Sequence, residues 1–291
     1  MNAYVLIIIA DLLLAVTFVF QKRYQNLSGT SMKAGLVYNS IVGFFSALMF
    51  LYINRFDIKV TGFSLLMAAI FAAVIIIYIF IGFKLMEKGC MSLYTLFLMA
   101  GGMTVPYIWG VLFLDEDLTL LRTLGLIAII AAICISNFGA KKTDKKIIFM
   151  CIAVFLLNGV SSVISKMHQI NPVSQIVTSP DFAFLVMTIK SAACAGILLI
   201  NRKRFSADSR NGVSVKTILL IALFAGIADG ISYMLQLIGA TQLPASVLYP
   251  MVTGGSVIIT SLAAVVVFKE KLSARQRAGI AICFVGTLLF L

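Results

Sequence analysis

Three ionisable side chains lie well inside long apolar runs of this 291-residue sequence, namely Asp11, Lys190 and Asp229. A charge at the centre of a bilayer costs about 2.5 to 3.5 kcal/mol on insertion scales, so it usually faces a partner or a water-filled cavity. In a cavity, a lysine attracts a carboxylate or phosphate, and an acid binds an amine or a proton. The alternative is a buried ion pair between Lys190 and one of the two acids, which would only hold helices together.

Asp11 is the better candidate for proton coupling, because its apolar run holds no other charge. Polar and aromatic residues at similar depth complete a predicted substrate-binding or coupling site: Asp11, Asn39, Asn158, Lys190, Asp229, Tyr233, Tyr249 and Thr253, with Gln236, Tyr107 and Trp109 as further candidates. Single polar residues in membrane helices more often bond a neighbouring helix or their own backbone. Tyr107 and Trp109 are alternatively interfacial anchors. His168, the single histidine, is expected to be a solvated loop residue.

The composition indicates which elements must position these side chains. Hydrophobic residues make up 61% of the chain, charged residues make up 12%, and mean hydropathy is +1.07. A soluble globular protein would have about twice that charged fraction. The apolar runs are long enough to cross a hydrocarbon core of about 30 Å as helices, and they lack the alternation of a membrane barrel. We therefore predict an all-α integral membrane protein.

We predict ten transmembrane helices and no cleavable signal peptide, because the first span is too long and has no basic start or small-residue cleavage site. The predicted spans are residues 4–20, 35–53, 61–83, 92–114, 118–138, 147–165, 182–200, 217–238, 245–268 and 273–291. The last span starts before its apolar run because Ser273 and Gln276 have the spacing of a capping box.

Two stretches of the chain follow one plan, in which an apolar run with a Gly pair precedes an acid, a Leu and a further Gly. At the other end of each half, the first apolar run closes near a Lys. The matched positions are Gly101 with Gly254, Gly102 with Gly255, Glu116 with Glu270, Gly125 with Gly279, and Lys22 with Lys166. The chain thus reads as a duplicated unit.

The basic run KKTDKK separates five predicted helices from five. We predict a first five-helix repeat at residues 1–140, a basic linker at 141–146 and a second repeat at 147–291. Because five is odd, the second repeat enters the membrane from the opposite side. Two inverted five-helix repeats are the architecture of alternating-access carriers, whose binding site lies near the midplane between the halves.

The Gly pairs are predicted to mark helix crossings, since small residues let membrane helices approach closely. Pro250, four residues before Gly254, removes a backbone hydrogen bond, so we predict a hinge there. The predicted hinge or packing residues are Gly101, Gly102, Pro250, Gly254 and Gly255. Glu116 and Glu270 precede the fifth and tenth helices, where an acid favours the positive end of the helix dipole.

These residues resemble the drug/metabolite transporter superfamily, and its EamA-like branch in particular. The resemblance rests on the five-plus-five plan, the Lys closing the first helix of each half, and the Gly-rich fourth helix followed by an E-x-L turn. It implies that the protein moves a small molecule. The substrates of such transporters include amino acids, purines, sugars, nucleotide sugars and drugs. Pro250 and Lys190 match positions at which members commonly have Pro and a basic residue, whereas the first half has Phe97 and Asn39 there.

The charge distribution predicts the orientation. The connections after the odd-numbered helices hold most of the 23 Lys and Arg residues, whereas the opposite set holds Arg55, Lys59, Arg122 and Lys166. The positive-inside rule makes the basic side cytoplasmic and places both termini outside. The expected location is a bacterial plasma membrane. The resemblance implies the reverse, because relatives usually keep both termini in the cytoplasm.

Three functions fit the sequence. The first is a secondary carrier of a small polar or zwitterionic metabolite, such as an amino acid, driven by protons or by the substrate gradient. The second is a membrane scaffold or subunit that transports nothing, and the third is a broad drug exporter, which Lys190 disfavours because it repels cationic drugs. The scattered cysteines and the motifs predict no enzyme, cofactor, metal site or nucleic-acid partner. Predicted partners are the substrate, membrane lipids and protons, and the chain is expected to be a monomer or homodimer.

Overall fold

The computed structural model describes residues 2–88, 91–137, 144–171, 176–201, 214–269 and 271–291. All regular secondary structure in this part of the chain is α-helical. The ten helices are α1 (Ala3–Ser28), α2 (Met32–Ile53), α3 (Gly62–Glu87), α4 (Met91–Phe113), α5 (Leu120–Asn137), α6 (Lys145–Ile170), α7 (Ser179–Ile200), α8 (Val215–Gln242), α9 (Ala245–Phe268) and α10 (Ala274–Leu288).

Eight of these helices, α1 to α4 and α6 to α9, are long and apolar enough to cross a membrane. The other two are shorter, since α5 has 18 residues and α10 has 15. A helix satisfies its own main-chain hydrogen bonds, which lipid cannot do, so apolar runs of this length form helices. The integral membrane class is therefore confirmed, and each predicted span coincides with a helix.

The helix ends differ from the prediction in informative ways. The capping box of Ser273 and Gln276 is present, so α10 begins where predicted, but the helix ends at Leu288. Lys145 and Lys146 of the predicted linker form the first turn of α6, while residues 141–143 lie outside the described part of the chain. At its other end α6 continues past residue 165 to Ile170. The helix extends beyond the apolar run because its last turns carry polar side chains that the other helices bury.

The two halves interleave. Helix α1 packs against α8 and α9, and α6 packs against α3 and α4, so the first helix of each half lies in the other half. Pairs α2 with α7, α4 with α9 and α5 with α10 join corresponding helices. One apolar core joins α1, α4, α5, α9 and α10, and a second joins α2, α3, α6, α7 and α8. The surface where α1, α2, α3, α7 and α8 meet is therefore built by both halves.

The Gly pairs lie where helices approach closely. A Cβ at Gly101 would overlap the main-chain oxygen of Phe155 in α6, and a Cβ at Gly254 would overlap the Thr287 hydroxyl in α10. Pro106 and Pro250 lie inside α4 and α9. Proline at 106 leaves the Gly102 carbonyl without its helical donor, and Ser162 Oγ of α6 donates to that carbonyl at 3.3 Å.

Candidate functional site

A cavity of about 200 Å³ lies between α1, α2, α3, α7 and α8. Its polar lining consists of Asn39, Tyr78, Lys190, Asp229, Ser232, Tyr233 and Gln236. Apolar side chains, among them Phe71 of α3 and Met187 of α7, complete the wall. Both halves of the chain contribute, so the cavity exists only once the halves have packed together.

Lys190 and Asp229 form an ion pair on the wall of this cavity, with 3.6 Å between Nζ and Oδ2. Each residue lies near the middle of its helix, Lys190 in α7 and Asp229 in α8. The side chains keep 10% and 23% of their exposure, so the pair faces the cavity without being sealed from it. The partner of Lys190 is thus Asp229 and not Asp11.

Hydrogen bonds hold the remaining polar wall. Tyr233 Oη lies 3.1 Å from Ser165 Oγ of α6, and its ring lies against Phe71 with 5.6 Å between ring centroids. Gln236 Nε2 donates to Ser232 Oγ at 3.2 Å, and Ser232 Oγ donates to the carbonyl of Ala10 at 2.7 Å. These bonds fix the cavity face of α8 against α1 and α6.

The other predicted site residues do not line this cavity. Asn158 Nδ2 donates to the carbonyl of Leu98 at 2.7 Å, and Tyr249 Oη donates to the carbonyl of Ser162 at 2.6 Å. Thr253 is absent from the lining, as is Asp11, which lies against Gly255 at the crossing of α1 and α9. Four of the eight predicted residues therefore line the cavity. Asp11, Asn158 and Tyr249 instead lie where α1 or α6 contacts α4 or α9, and Thr253 belongs to α9.

The further candidates Tyr107 and Trp109 also lie outside the cavity. Tyr107 is buried, and its Oη lies 3.0 Å from Thr123 Oγ1 of α5. Trp109 stacks on Phe113 with 4.2 Å between ring centroids, and its Nε1 is buried without a hydrogen-bond partner among the described residues. Tyr107 thus joins α4 to α5 and does not anchor the protein at the membrane interface.

Lys166 is a buried lysine whose contacts the sequence does not predict. Its Nζ donates to the carbonyls of Ala240 at 2.7 Å and Leu243 at 2.6 Å, at the end of α8. A cation there complements the negative end of the helix dipole. The last turns of α6 are therefore attached to the corner between α8 and α9.

Glu116 caps a different helix from the one that the sequence predicts. Its carboxylate accepts from the main-chain N–H groups of Ala245 at 2.6 Å and Ser246 at 2.7 Å, in the first turn of α9. The dipole argument holds, but it applies to α9 and not to the neighbouring α5. Only the fold brings the start of α9 beside the connection between α4 and α5. Glu270, its predicted counterpart, lies outside the described residues.

The prediction of a solvated His168 is wrong. The residue is fully buried in the last turns of α6, beyond the predicted end of that helix. Its ring stacks on Phe182 with 3.7 Å between centroids. Its Nε2 lies 2.8 Å from Ser64 Oγ, and its Nδ1 lies 3.0 Å from Gln169 Nε2. No local pattern marks this burial, because Ser64 and Phe182 belong to other helices.

The described part of the chain contains no group of three or more His, Cys, Asp or Glu side chains placed to hold a metal ion. The cavity offers a cation, an anion, hydroxyls, two amides and aromatic walls. These groups bind and orient a polar molecule by charge and hydrogen bonding.

Comparison with known proteins places this arrangement in a family. A sequence model described as the EamA-like transporter family matches residues 145–291. The chain belongs to the EamA-like transporter family. The match confirms the resemblance drawn from the duplicated unit, and it supports a general role in membrane transport.

A solved crystal structure has the same fold as this EamA-like chain. It superposes with a TM-score of 0.77, covering 99% of this chain and 98% of that chain at 14% sequence identity. At that identity the likeness concerns the fold alone. No curated protein matches the sequence significantly.

Proposed function

We propose that the protein is a secondary transporter that moves a small polar or zwitterionic metabolite across the membrane by alternating access. An amino acid is the first class of substrate to test. The observation behind this proposal is the Lys190–Asp229 pair on the wall of a cavity between the two halves of an EamA-like chain.

The chemistry of the pair fits a zwitterion. An ammonium group of a bound molecule can replace Lys190 as the partner of Asp229, while its carboxylate accepts from Lys190, so no buried charge loses its compensation. Tyr78, Tyr233 and Gln236 supply further polar contacts along the same wall. The cavity of about 200 Å³ favours a small metabolite over a drug, since drug-sized ligands occupy pockets of roughly 300 to 1,000 Å³.

The packing of the helices supports the alternating-access part of the proposal. The contacts of α1 with α8 and α9 have counterparts in the contacts of α6 with α3 and α4. Such a pattern is expected if the chain consists of two inverted five-helix repeats that move relative to one another. The position of Lys190 and Asp229 near the middle of their helices agrees with a site at the midplane.

Uptake into proteoliposomes tests this function. Purified protein is reconstituted with a panel of radiolabelled amino acids, after a thermal-shift screen of the same compounds. We expect at least one compound to raise the melting temperature and to be taken up. Lys190→Gln or Asp229→Asn should lower that uptake about tenfold or more, because each removes one charged contact to the substrate.

The double variant Lys190→Gln/Asp229→Asn separates binding from structure. If the ion pair only holds α7 against α8, the double variant, which leaves no unpaired charge, should transport like the wild type. We expect it to fold and to have lost transport. A protein that neither binds nor moves any compound of the panel would instead fit the scaffold hypothesis.

The charges of the chain support proposals for the driving force and the orientation. We propose a proton-coupled or gradient-driven carrier in which Asp11 binds the proton. We further propose that the basic connections are cytoplasmic and both termini lie outside. A reporter fused after Leu291 should be active outside the membrane, and cytoplasmic activity would contradict this orientation.

A further inference from the structure

Asp11 has a buried carboxylate oxygen without a hydrogen-bond partner among the described residues. The residue is 3% exposed in the first half of α1, and this oxygen is Oδ1. An ionised carboxylate is costly to bury without a partner, whereas a carboxylic acid needs only one acceptor for its O–H group. The site therefore favours the neutral form of this side chain.

Gly255 allows the carboxylate to reach the main chain of α9. A Cβ at position 255 would overlap Oδ2 of Asp11, so the acid occupies the space that any other residue would fill. The carboxyl group of Asp11 thus lies directly beside the backbone of α9. The main-chain carbonyl oxygens of that helix are hydrogen-bond acceptors. A protonated Asp11 has an O–H donor at this position.

The crossing of α4 and α6 shows what a permanently neutral side chain does in this position. Asn158 of α6 faces Gly102, the matched glycine of α4, at 2.6 Å from where its Cβ would lie. The amide Nδ2 donates to the carbonyl of Leu98, one turn before that glycine. An amide N–H and a carboxylic O–H are both donors at the end of a short side chain.

Other titratable groups near Asp11 have partners elsewhere or are themselves neutral. The helices packed against α1 are α2, α8 and α9, and their titratable residues at comparable depth are Tyr38, Asp229, Tyr233 and Tyr249. Asp229 pairs with Lys190, Tyr233 bonds Ser165 and Tyr249 bonds Ser162. Within the described residues, none of the four forms a hydrogen bond or ion pair with Asp11. On α1 itself, Lys22 and Arg23 are about three turns away.

We propose that Asp11 is a proton-binding site that controls the contact between α1 and α9. Asp11 takes up one proton from water, and the resulting O–H group donates to a main-chain carbonyl of α9 beside Gly255. Protonation then holds α1 against α9 as Asn158 holds α6 against α4. The role of this site in coupling rests on the proposed transport function, but its protonation is a property of the protein alone.

Thermal unfolding at a series of pH values tests the site without any substrate. Trp109, the single tryptophan, reports unfolding of the full-length protein in detergent. The wild-type melting temperature should rise as the pH falls, because protonation creates the hydrogen bond. Asp11→Asn always has a donor, so it should keep the acidic-pH melting temperature at alkaline pH. The difference in melting temperature between Asp11→Asn and the wild type should therefore increase with pH.

Two further variants guard against a folding failure of Asp11→Asn. Asn158→Asp places an acid at the matched crossing, and it should lose melting temperature at alkaline pH and recover it at acidic pH. Gly255→Ala pushes the carboxylate away from α9 and should flatten the pH dependence while the acid is still present. The proposal is overturned if Asp11→Asn or Gly255→Ala shows the wild-type pH dependence, or if Asn158→Asp gains none.

Infrared spectroscopy gives a second measurement on the same proteins. At the same pH, the carboxylic C=O band of the wild type should contain a component that Asp11→Asn lacks, because all other acids are common to both proteins; identical spectra would contradict the proposal. Substrate binding at Lys190 and Asp229 is measured separately. Loss of the pH dependence would leave the transport proposal intact, and absence of transport would leave the protonation measurable.

Discussion

In one part of the molecule the second glycine of the pair in α4 faces Asn158 of α6, and in another the second glycine of the pair in α9 faces Asp11 of α1. At both crossings, the fourth helix of one half meets the first helix of the other. The amide of Asn158 is bonded to the main chain of α4, whereas the carboxylate oxygen Oδ1 of Asp11 has no such bond. The two crossings thus share the close packing of the helices, while the polar group differs between them.

The same divergence is visible at the matched lysines. Lys166 is buried with two carbonyl partners, whereas Lys22 Nζ lies 4.7 Å from the centroid of the Phe268 ring. A cation over an aromatic ring and a cation among carbonyls are both stabilised, but the second is buried and therefore depends on its partners. The two lysines thus make different contacts.

The largest effect should come from Lys166→Met. This change removes two charge-assisted hydrogen bonds at the end of α8, each of which contributes about 1.5 to 3 kcal/mol. We expect a clear loss in the free energy of unfolding, measured by SDS titration with Trp109 fluorescence. Lys22→Met is the matched control and should cost less; equal losses would remove the distinction between the copies.

Gly101→Ala should be next. The new Cβ would overlap the Phe155 main-chain oxygen, which cannot move without displacing α6, and overpacking of this kind costs about 1 to 3 kcal/mol. The same SDS titration measures the change. Gly196→Ala in α7 is the control, because nothing lies within 4 Å of its Cβ. A tolerated alanine at position 101 would show that the crossing of α4 and α6 is looser than the structure indicates.

Gly255→Ala should destabilise the protein less than Gly101→Ala, because the obstructing atoms belong to a side chain that can rotate. We expect the double variant Gly255→Ala/Asp11→Ala to recover part of the stability lost in Gly255→Ala, since the overlap disappears with the carboxylate. The four unfolding free energies form a double-mutant cycle. Strict additivity would mean that the two residues do not touch.

The smallest effect should come from Asn158→Ala. Loss of the hydrogen bond to Leu98 should cost about 1 kcal/mol, because the carbonyl is also the acceptor of its own helix. If Asn158→Ala costs nothing, the amide is not what holds α6 to α4, and the comparison with Asp11 loses its basis.

Some parts of the site could be predicted from the sequence and others could not. Lys190 and Asp229 are predictable because a charge in an apolar run is rare, and they do line one cavity. Asn158, Tyr249 and Thr253 share only their depth with this pair, and depth does not tell which face of a helix a residue occupies. Tyr78 and Ser232 line the cavity without any sequence signal, because tyrosine and serine are unremarkable in a membrane helix.

The sequence by itself determined the membrane class and the positions of the ten helices, because these depend on the length and hydropathy of apolar runs. Only the tertiary structure decided which acid pairs with Lys190, which helix Glu116 caps and why His168 is buried. Glu116 and Ala245 are 129 residues apart, and Lys166 and Leu243 are 77 residues apart. Such contacts arise from the packing of one half against the other, which no local pattern specifies.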